Sequence, residues 1–265
     1  MKLKNINLNL IKKLPWLIKQ PLSKKPDNYQ STISDLFVWI KDKNIQTEYE
    51  ILDLPNLFNK EIKKDKSHVT LFVFNKNGEQ ILRKKILIEP YKRTLLKISS
   101  LLNDNNLDQN YGTFSIFHES NPKIISDIGS FISDRGYVKY YINSLDIYKY
   151  VHGNLDAICF DGNIYKNLGT TSFLKRFYNF QFTISKGVEY KFYLVNFTNK
   201  VKKYELRSLL KNNIIEKIKI FPKGAGILSY TNDYDNDILT IKSNTVMSRP
   251  LVYLRKNEDF DFFHG

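Results

Sequence analysis

Residues 68–78 read HVTLFVFNKNG, and this stretch decides the fold class. Its first seven residues are mostly apolar, β-branched or aromatic, which is the composition of a β-strand. Asn77-Gly78 then supplies the positive φ angles of a tight hairpin, so residues 80–88 are predicted to return antiparallel to the first strand. Pro90 ends the second strand, because proline cannot donate to a ladder of backbone hydrogen bonds.

The same pattern of short apolar and aromatic runs separated by Asn, Asp, Gly and Pro continues along the chain, and it predicts an all-β protein. Further strands are predicted at residues 94–98, 113–117, 138–142, 190–197, 201–210 and 214–220. Residues 32–40 are predicted to add a strand to the first half or to bridge the two halves.

The second half of the sequence repeats the first in the same order. Residues 86–90 match 218–222, 113–116 match 238–241, 133–138 match 247–252, and 150–153 match 262–265. The separation between matching blocks falls steadily, as shorter loops in a second copy would produce. We therefore predict tandem duplicated β-sandwich modules. The predicted divisions are a basic arm and linker at 1–30, a first module at 31–150, a connector at 151–178 and a second module at 179–265.

The chain is strongly basic, with a formal net charge of +14. Most of its basic residues are lysine rather than arginine, whose planar guanidinium is the better partner for phosphate, and the excess is concentrated in residues 1–30. A nucleic-acid partner is therefore not expected.

The single cysteine, Cys159, excludes an internal disulfide, and Ile158-Cys159-Phe160 is typical of a buried strand in which a thiol is inert. No signal peptide or stretch long enough to span a bilayer is evident, so a cytoplasmic location is expected.

Residues 6–18 place apolar side chains at roughly helical spacing between lysines, with Trp16 beside them. This pattern predicts a short basic amphipathic segment, which Pro15 and Pro21 limit in length. We expect it to pack on the body of the protein. The alternative is weak contact with a membrane surface, peripheral to the bilayer, or an adaptor role toward membrane or nucleic acid.

At the level of one module, residues 68–74, the Asn77-Gly78 turn, residues 86–90 and Lys92-Arg93-Thr94 resemble the small β-sandwich proteins of the sensory-rhodopsin transducer family. The resemblance covers about a third of the chain. It implies a binding or transducing module rather than a catalytic fold, and it does not imply a rhodopsin partner.

Candidate binding residues recur at matched places in the two halves. Arg135 precedes His152-Gly153 as Arg249 precedes His264-Gly265, and Arg beside His suits a carboxylate, a phosphate or an acidic sugar. Capping and turn roles for the same residues are the structural alternative. The first half adds aromatic and polar side chains that are usual in sugar pockets. The full candidate set is His118, Glu119, Arg135, Tyr137, Tyr150, His152, Asn154, Asp156, Arg249 and His264.

The leading hypothesis is a non-enzymatic protein that binds a small anionic or carbohydrate-type ligand, in a setting of surface-polysaccharide or sugar-nucleotide metabolism. The alternative is a carbohydrate-active enzyme whose polar centre is His118, Glu119, Arg135 and His152. No cofactor and no metal site is predicted, because the spacing of His118, Glu119 and His152 contains no short ligand motif. Exposed sheet edges also make a homo-oligomer a reasonable expectation.

Overall fold

The computed structural model describes residues 32–53, 67–90, 92–102, 109–119, 133–134, 136–153, 156–233, 236–245 and 249–265. Nearly all regular structure in these ranges is β-strand, so the all-β prediction is confirmed. One short helix, α1 (Ile98–Leu101), interrupts the strands. The strands are β1 (Thr32–Ser34), β2 (Phe37–Ile40), β3 (Ile45–Ile51), β4 (Ser67–Asn75), β5 (Gln80–Ile88), β6 (Thr94–Lys97), β7 (Tyr111–His118), β8 (Ser133–Asp134), β9 (Tyr137–Ile142), β10 (Ile147–His152), β11 (Ile158–Phe160), β12 (Tyr165–Asn167), β13 (Thr171–Asn179), β14 (Glu189–Val195), β15 (Lys202–Ser208), β16 (Asn213–Ile220), β17 (Ala225–Thr231), β18 (Leu239–Thr245), β19 (Leu251–Lys256) and β20 (Asp259–His264).

The hairpin predicted from residues 68–88 forms as expected. Strand β4 pairs antiparallel with β5, and Gly78 occupies the turn at a φ of 80°. Strand β2 pairs with β7, so residues 37–40 add a strand to the first half. The resulting sheet A has the strand order β2-β7-β4-β5, and sheet B has the order β10-β9-β3-β6.

The second half repeats this strand order. Sheet C has the order β13-β18-β15-β16, and sheet D has the order β17-β14-β19-β20. Strands β2, β7, β4 and β5 of sheet A correspond in order to β13, β18, β15 and β16 of sheet C. Strands β10, β9, β3 and β6 of sheet B correspond to β20, β19, β14 and β17, which is the order of sheet D read in the opposite direction. The internal repeat seen in the sequence is therefore also a repeat of topology.

A fifth sheet corrects the predicted architecture. Sheet E, with the order β12-β11-β1-β8, draws strands from both ends of the first half and from residues 151–178, the predicted connector. Two sandwiches would supply four sheets, so the expectation of sandwich modules joined by a plain connector is wrong. Five four-stranded sheets correspond in number to the blades of a five-bladed β-propeller. Apart from hairpins such as β4–β5 and β9–β10, strands consecutive in the chain lie in different sheets, so these sheets are not simple meanders.

Sheet A is covered on both faces. Leu71 and Val73 lie in the same core as Tyr49 of sheet B, while Phe72 contacts Phe160 of sheet E at 5.0 Å between ring centroids. The alternation along β4 therefore sends successive apolar side chains into two different layers. This explains why residues 69–74 are apolar almost without interruption.

The two halves share a core rather than standing apart. Tyr140 of β9 stacks on Phe262 of β20, with ring centroids 4.6 Å apart. At another contact the turn after β4 meets the loop before β17, where the Ala225 N–H donates to the Lys76 carbonyl at 3.1 Å. A Cβ placed on Gly78 would lie 1.9 Å from the Pro222 carbonyl oxygen, so only glycine fits this contact.

Within the described residues, no helix is long and apolar enough to cross a membrane. The predicted amphipathic segment at residues 1–30 lies outside them.

Candidate functional site

The outward surface of sheet B carries an unusual concentration of aromatic side chains. Its rows are set by register: Tyr148 lies opposite Tyr141, Tyr150 opposite Lys139, and His152 opposite Tyr137. Side chains directly opposite one another in a sheet point to the same face. We call the set Tyr137, Tyr141, Tyr148, Tyr150 and His152 the tyrosine face.

The rings of the tyrosine face are open to solvent. Tyr137 is 55% exposed, Tyr150 50% and Tyr148 44%. Tyr141 and Tyr148 lie 4.7 Å apart between centroids, and Tyr137 meets the His152 ring edge-on at 6.3 Å. Exposed aromatic surface of this extent on one strand face makes sheet B a candidate binding surface.

Alternation along β9 separates the exposed rings from the core. Val138, Tyr140 and Ile142 point inward and are at most 3% exposed. The buried Tyr140 hydroxyl donates to the Val38 carbonyl at 2.9 Å, and burial raises the pKa of Tyr140 well above its usual value. The core side of the sheet is thereby fixed, and the outer rings have a rigid support.

A paired lysine lies at the centre of the tyrosine face. Lys139 Nζ is 3.6 Å from the ring centroid of Tyr148 and 3.1 Å from Glu48 Oε2. Burial alone would lower the pKa of Lys139, but its hydrogen bond to Glu48 and the charge of that carboxylate raise the pKa above its usual value. The cation in contact with the rings is therefore neutralised, and the face offers aromatic surface without a net charge at its centre.

Tyr141 is fixed at one end of the face by a turn. Its hydroxyl donates to Asp146 Oδ1 at 2.7 Å, and this hydrogen bond is the main cause of a raised pKa for Tyr141. Asp146 adopts a φ of 52°, a left-handed conformation that aspartate tolerates in turns. The turn between β9 and β10 thus orients a ring as well as reversing the chain.

The matched histidines of the two halves meet at the junction between them. The His264 Nε2–H donates to the His152 carbonyl at 2.5 Å, and the two rings are 5.5 Å apart between centroids. With Arg249 they line a cavity of about 30 Å³, large enough for water but not for a sugar. The sequence predicted two separate corners, Arg135 with His152 and Arg249 with His264. In the structure the two histidines lie side by side and join the halves.

His118 and Glu119 lie elsewhere, at the end of β7 in sheet A. His118 is buried, and its Nε2–H donates to the Leu52 carbonyl at 2.8 Å. Glu119 bonds through its carboxylate to Lys85 at 2.7 Å and lies 3.6 Å from His68. Both residues line a cleft of about 460 Å³ that does not include His152.

The polar centre expected for a carbohydrate-active enzyme is not assembled by the described residues, since His118 and His152 lie on different sheets and line different cavities. Arg135 and Asn154, also candidates, lie outside the described residues. Asp156 is half-buried between β10 and β11. No group of three or more His, Cys, Asp and Glu side chains suited to a metal ion occurs in the part of the chain that the structure describes.

The candidate list drawn from the sequence omitted Tyr141, Tyr148, Lys139 and Glu48. The signal for Lys139 and Tyr141 was present, because Tyr137, Lys139 and Tyr141 lie at every second position along β9. Tyr148 lies at the second position from Tyr150 on β10. Glu48 could not be found this way, because it reaches Lys139 only through the pairing of β3 with β9.

No protein-family model matches the sequence, and no curated protein matches it either. The resemblance of the first half to the sensory-rhodopsin transducer family therefore stays a prediction.

Proposed function

We propose that the protein is a non-enzymatic binding protein that takes a carbohydrate on the tyrosine face of sheet B, in a setting of surface-polysaccharide or sugar-nucleotide metabolism. The observation that carries the proposal is the row of exposed rings, Tyr137, Tyr148 and Tyr150, on a rigid sheet. Sugars present flat C–H surfaces that stack on aromatic rings, while their hydroxyls bond to polar groups nearby.

Charge favours a neutral carbohydrate over an anionic ligand at this face. Lys139 is already paired with Glu48, and Arg93 is paired with Glu50 at 3.1 Å on the same side of the sheet. An anion would have to displace a carboxylate to reach Lys139, and the charge of Arg93 is balanced by Glu50. Sugar hydroxyls, in contrast, can bond to these groups without separating the pairs.

Binding should be tested by isothermal titration calorimetry against a panel of neutral oligosaccharides. We expect Tyr150→Ala and Tyr148→Ala each to weaken binding about tenfold, the equivalent of about 1.4 kcal/mol. The matched control is Phe177→Ala in sheet C, because Phe177 is 57% exposed and also has a lysine, Lys242, over its ring at 5.1 Å. If none of the oligosaccharides binds, or if Phe177→Ala weakens binding as much as the two tyrosine variants do, the tyrosine face is ruled out as a sugar site.

The repeat of strand order suggests how the protein acquired this face. We infer a duplicated eight-strand unit, in which the first copy carries the ligand and the second serves as a structural partner. Phe262 of β20 occupies the position in the second copy that corresponds to Tyr150. It stacks on Tyr140 instead of facing solvent, which supports this division. A homo-oligomer, a cytoplasmic location and any membrane contact through residues 1–30 stay predictions.

A further inference from the structure

A second cleft lies on the other side of the first half, where the turn between β11 and β12 overhangs the edge strand β5. Its volume is about 460 Å³, within the range of small-molecule sites. The residues that shape it include Thr70, Arg83, Lys85, Glu119, Phe160 and Asp161. The cleft is formed by sheets A and E, and it is therefore separated from the tyrosine face by sheet A and the core beneath it.

Arg83 is held at this cleft by aromatic rings. Its guanidinium carbon lies 5.2 Å from the ring centroid of Phe72 and 5.4 Å from that of Phe160. Both rings are buried, and they contact each other. Contact with two ring faces restricts the plane of the guanidinium while its N–H donors stay available at the edge.

The other charges of the cleft already have partners. Lys85 is paired with Glu119 at 2.7 Å. Asp161 Oδ1 accepts the N–H groups of Asn163 at 2.9 Å and Ile164 at 2.7 Å, and these bonds lower the pKa of Asp161. Among the described residues, no carboxylate forms an ion pair with Arg83. Among the described residues of the cleft, Arg83 is therefore the cation that is available to bind a ligand.

We propose that this cleft binds the carboxylate of a small organic acid, of the acidic-sugar class, through two hydrogen bonds from Arg83. A planar carboxylate matches the guanidinium fork, and the Phe160 ring borders the same space. Thr70 lies opposite Lys85 in the β4–β5 register and adds a hydroxyl for the rest of the ligand. This inference goes beyond the proposed carbohydrate face, because it concerns another site and another chemistry.

The test is an NMR titration that follows the Nε–H resonance of Arg83 with glucuronate, glucose and inorganic phosphate as probes. We expect a saturable shift with glucuronate and none with glucose. Arg83→Gln should weaken glucuronate binding by about tenfold or more, and Arg83→Lys should also weaken it, since lysine keeps the charge but loses the fork. For these variants, binding is followed through the backbone amides that border the cleft in the wild-type protein.

Lys84→Gln is the matched control, because Lys84 is an exposed cation on the same strand that lies opposite Leu71 instead of Phe72. It should leave glucuronate binding unchanged, as should Tyr150→Ala, which tests the tyrosine face alone. No shift with glucuronate, or equal binding by Lys84→Gln and Arg83→Gln, would overturn the proposal. If phosphate binds more tightly than glucuronate, the site favours a phosphate over a planar carboxylate, and the proposal as stated is overturned.

Discussion

Lys139 Nζ lies 3.1 Å from Glu48 Oε2, and each side chain is only 11% exposed. The pair joins β9 to β3 on the outward side of sheet B, beneath the exposed rings. Removing one partner would leave the other charge poorly hydrated under aromatic cover, which costs more than the pair itself contributes.

We therefore expect Glu48→Gln to destabilise the protein by about 1 to 3 kcal/mol, between the values typical of exposed and buried pairs. Urea denaturation measures the change in the free energy of unfolding. The double variant Glu48→Gln with Lys139→Met should recover part of the loss, because no charge is then left unpaired. A double variant no more stable than the single one would contradict this account.

The tyrosine face predicts different effects for removing a ring and for removing a hydroxyl. Tyr150→Phe keeps the ring face, so we expect at most about a threefold loss of oligosaccharide affinity, against about tenfold for Tyr150→Ala. Calorimetric titration of both variants gives the comparison. Equal losses would show that the hydroxyl, and not the ring face, makes the contact.

Gly78 is predicted to be essential for joining the two halves. Its φ is 80°, and a Cβ there would meet the backbone oxygen of Pro222, so Gly78→Ala should lower the free energy of unfolding by about 3 kcal/mol or more. Gly187→Ala is the matched control, because Gly187 has a φ of 70° but open space around the added Cβ. We expect the control to cost only about 1 kcal/mol. Similar losses in the two variants would mean that the Pro222 contact adds nothing.

The junction histidine gives stability a pH dependence. Burial lowers the pKa of His264 below 6.5, and the nearby charges of His152 and Arg249 act in the same direction, against the hydrogen bonds to backbone carbonyls. The unfolded chain therefore binds more protons than the folded one below about pH 6.5, so the stabilising contribution of neutral His264 is lost as the pH falls through its folded pKa.

The melting temperature of the wild type should accordingly fall between about pH 7 and pH 5, and that of His264→Gln should fall less over the same range. Glutamine keeps an N–H donor for the His152 carbonyl but does not titrate. Differential scanning fluorimetry gives the melting temperatures. If the melting temperatures of the two proteins fall equally with pH, His264 is excluded as the titrating group.

The sequence by itself determined the features that depend on neighbouring residues. The hairpin at residues 68–88 followed from strand composition and an Asn-Gly turn, and the buried strand around Cys159 followed from its apolar neighbours. The internal repeat was also visible, because matching strands keep matching residues in the same order.

Only the tertiary structure decided how the strands are distributed among sheets and which side chains meet. Pairing partners such as β1 and β11 are far apart in the chain, so no local pattern could reveal sheet E or correct the expected sandwich modules. The pairing of distant strands also determines that His118 lies apart from His152, that His152 lies beside His264, and that the Phe160 ring lies against Arg83. Local propensity determines where a strand forms, whereas the burial of its two faces determines which distant strand it joins.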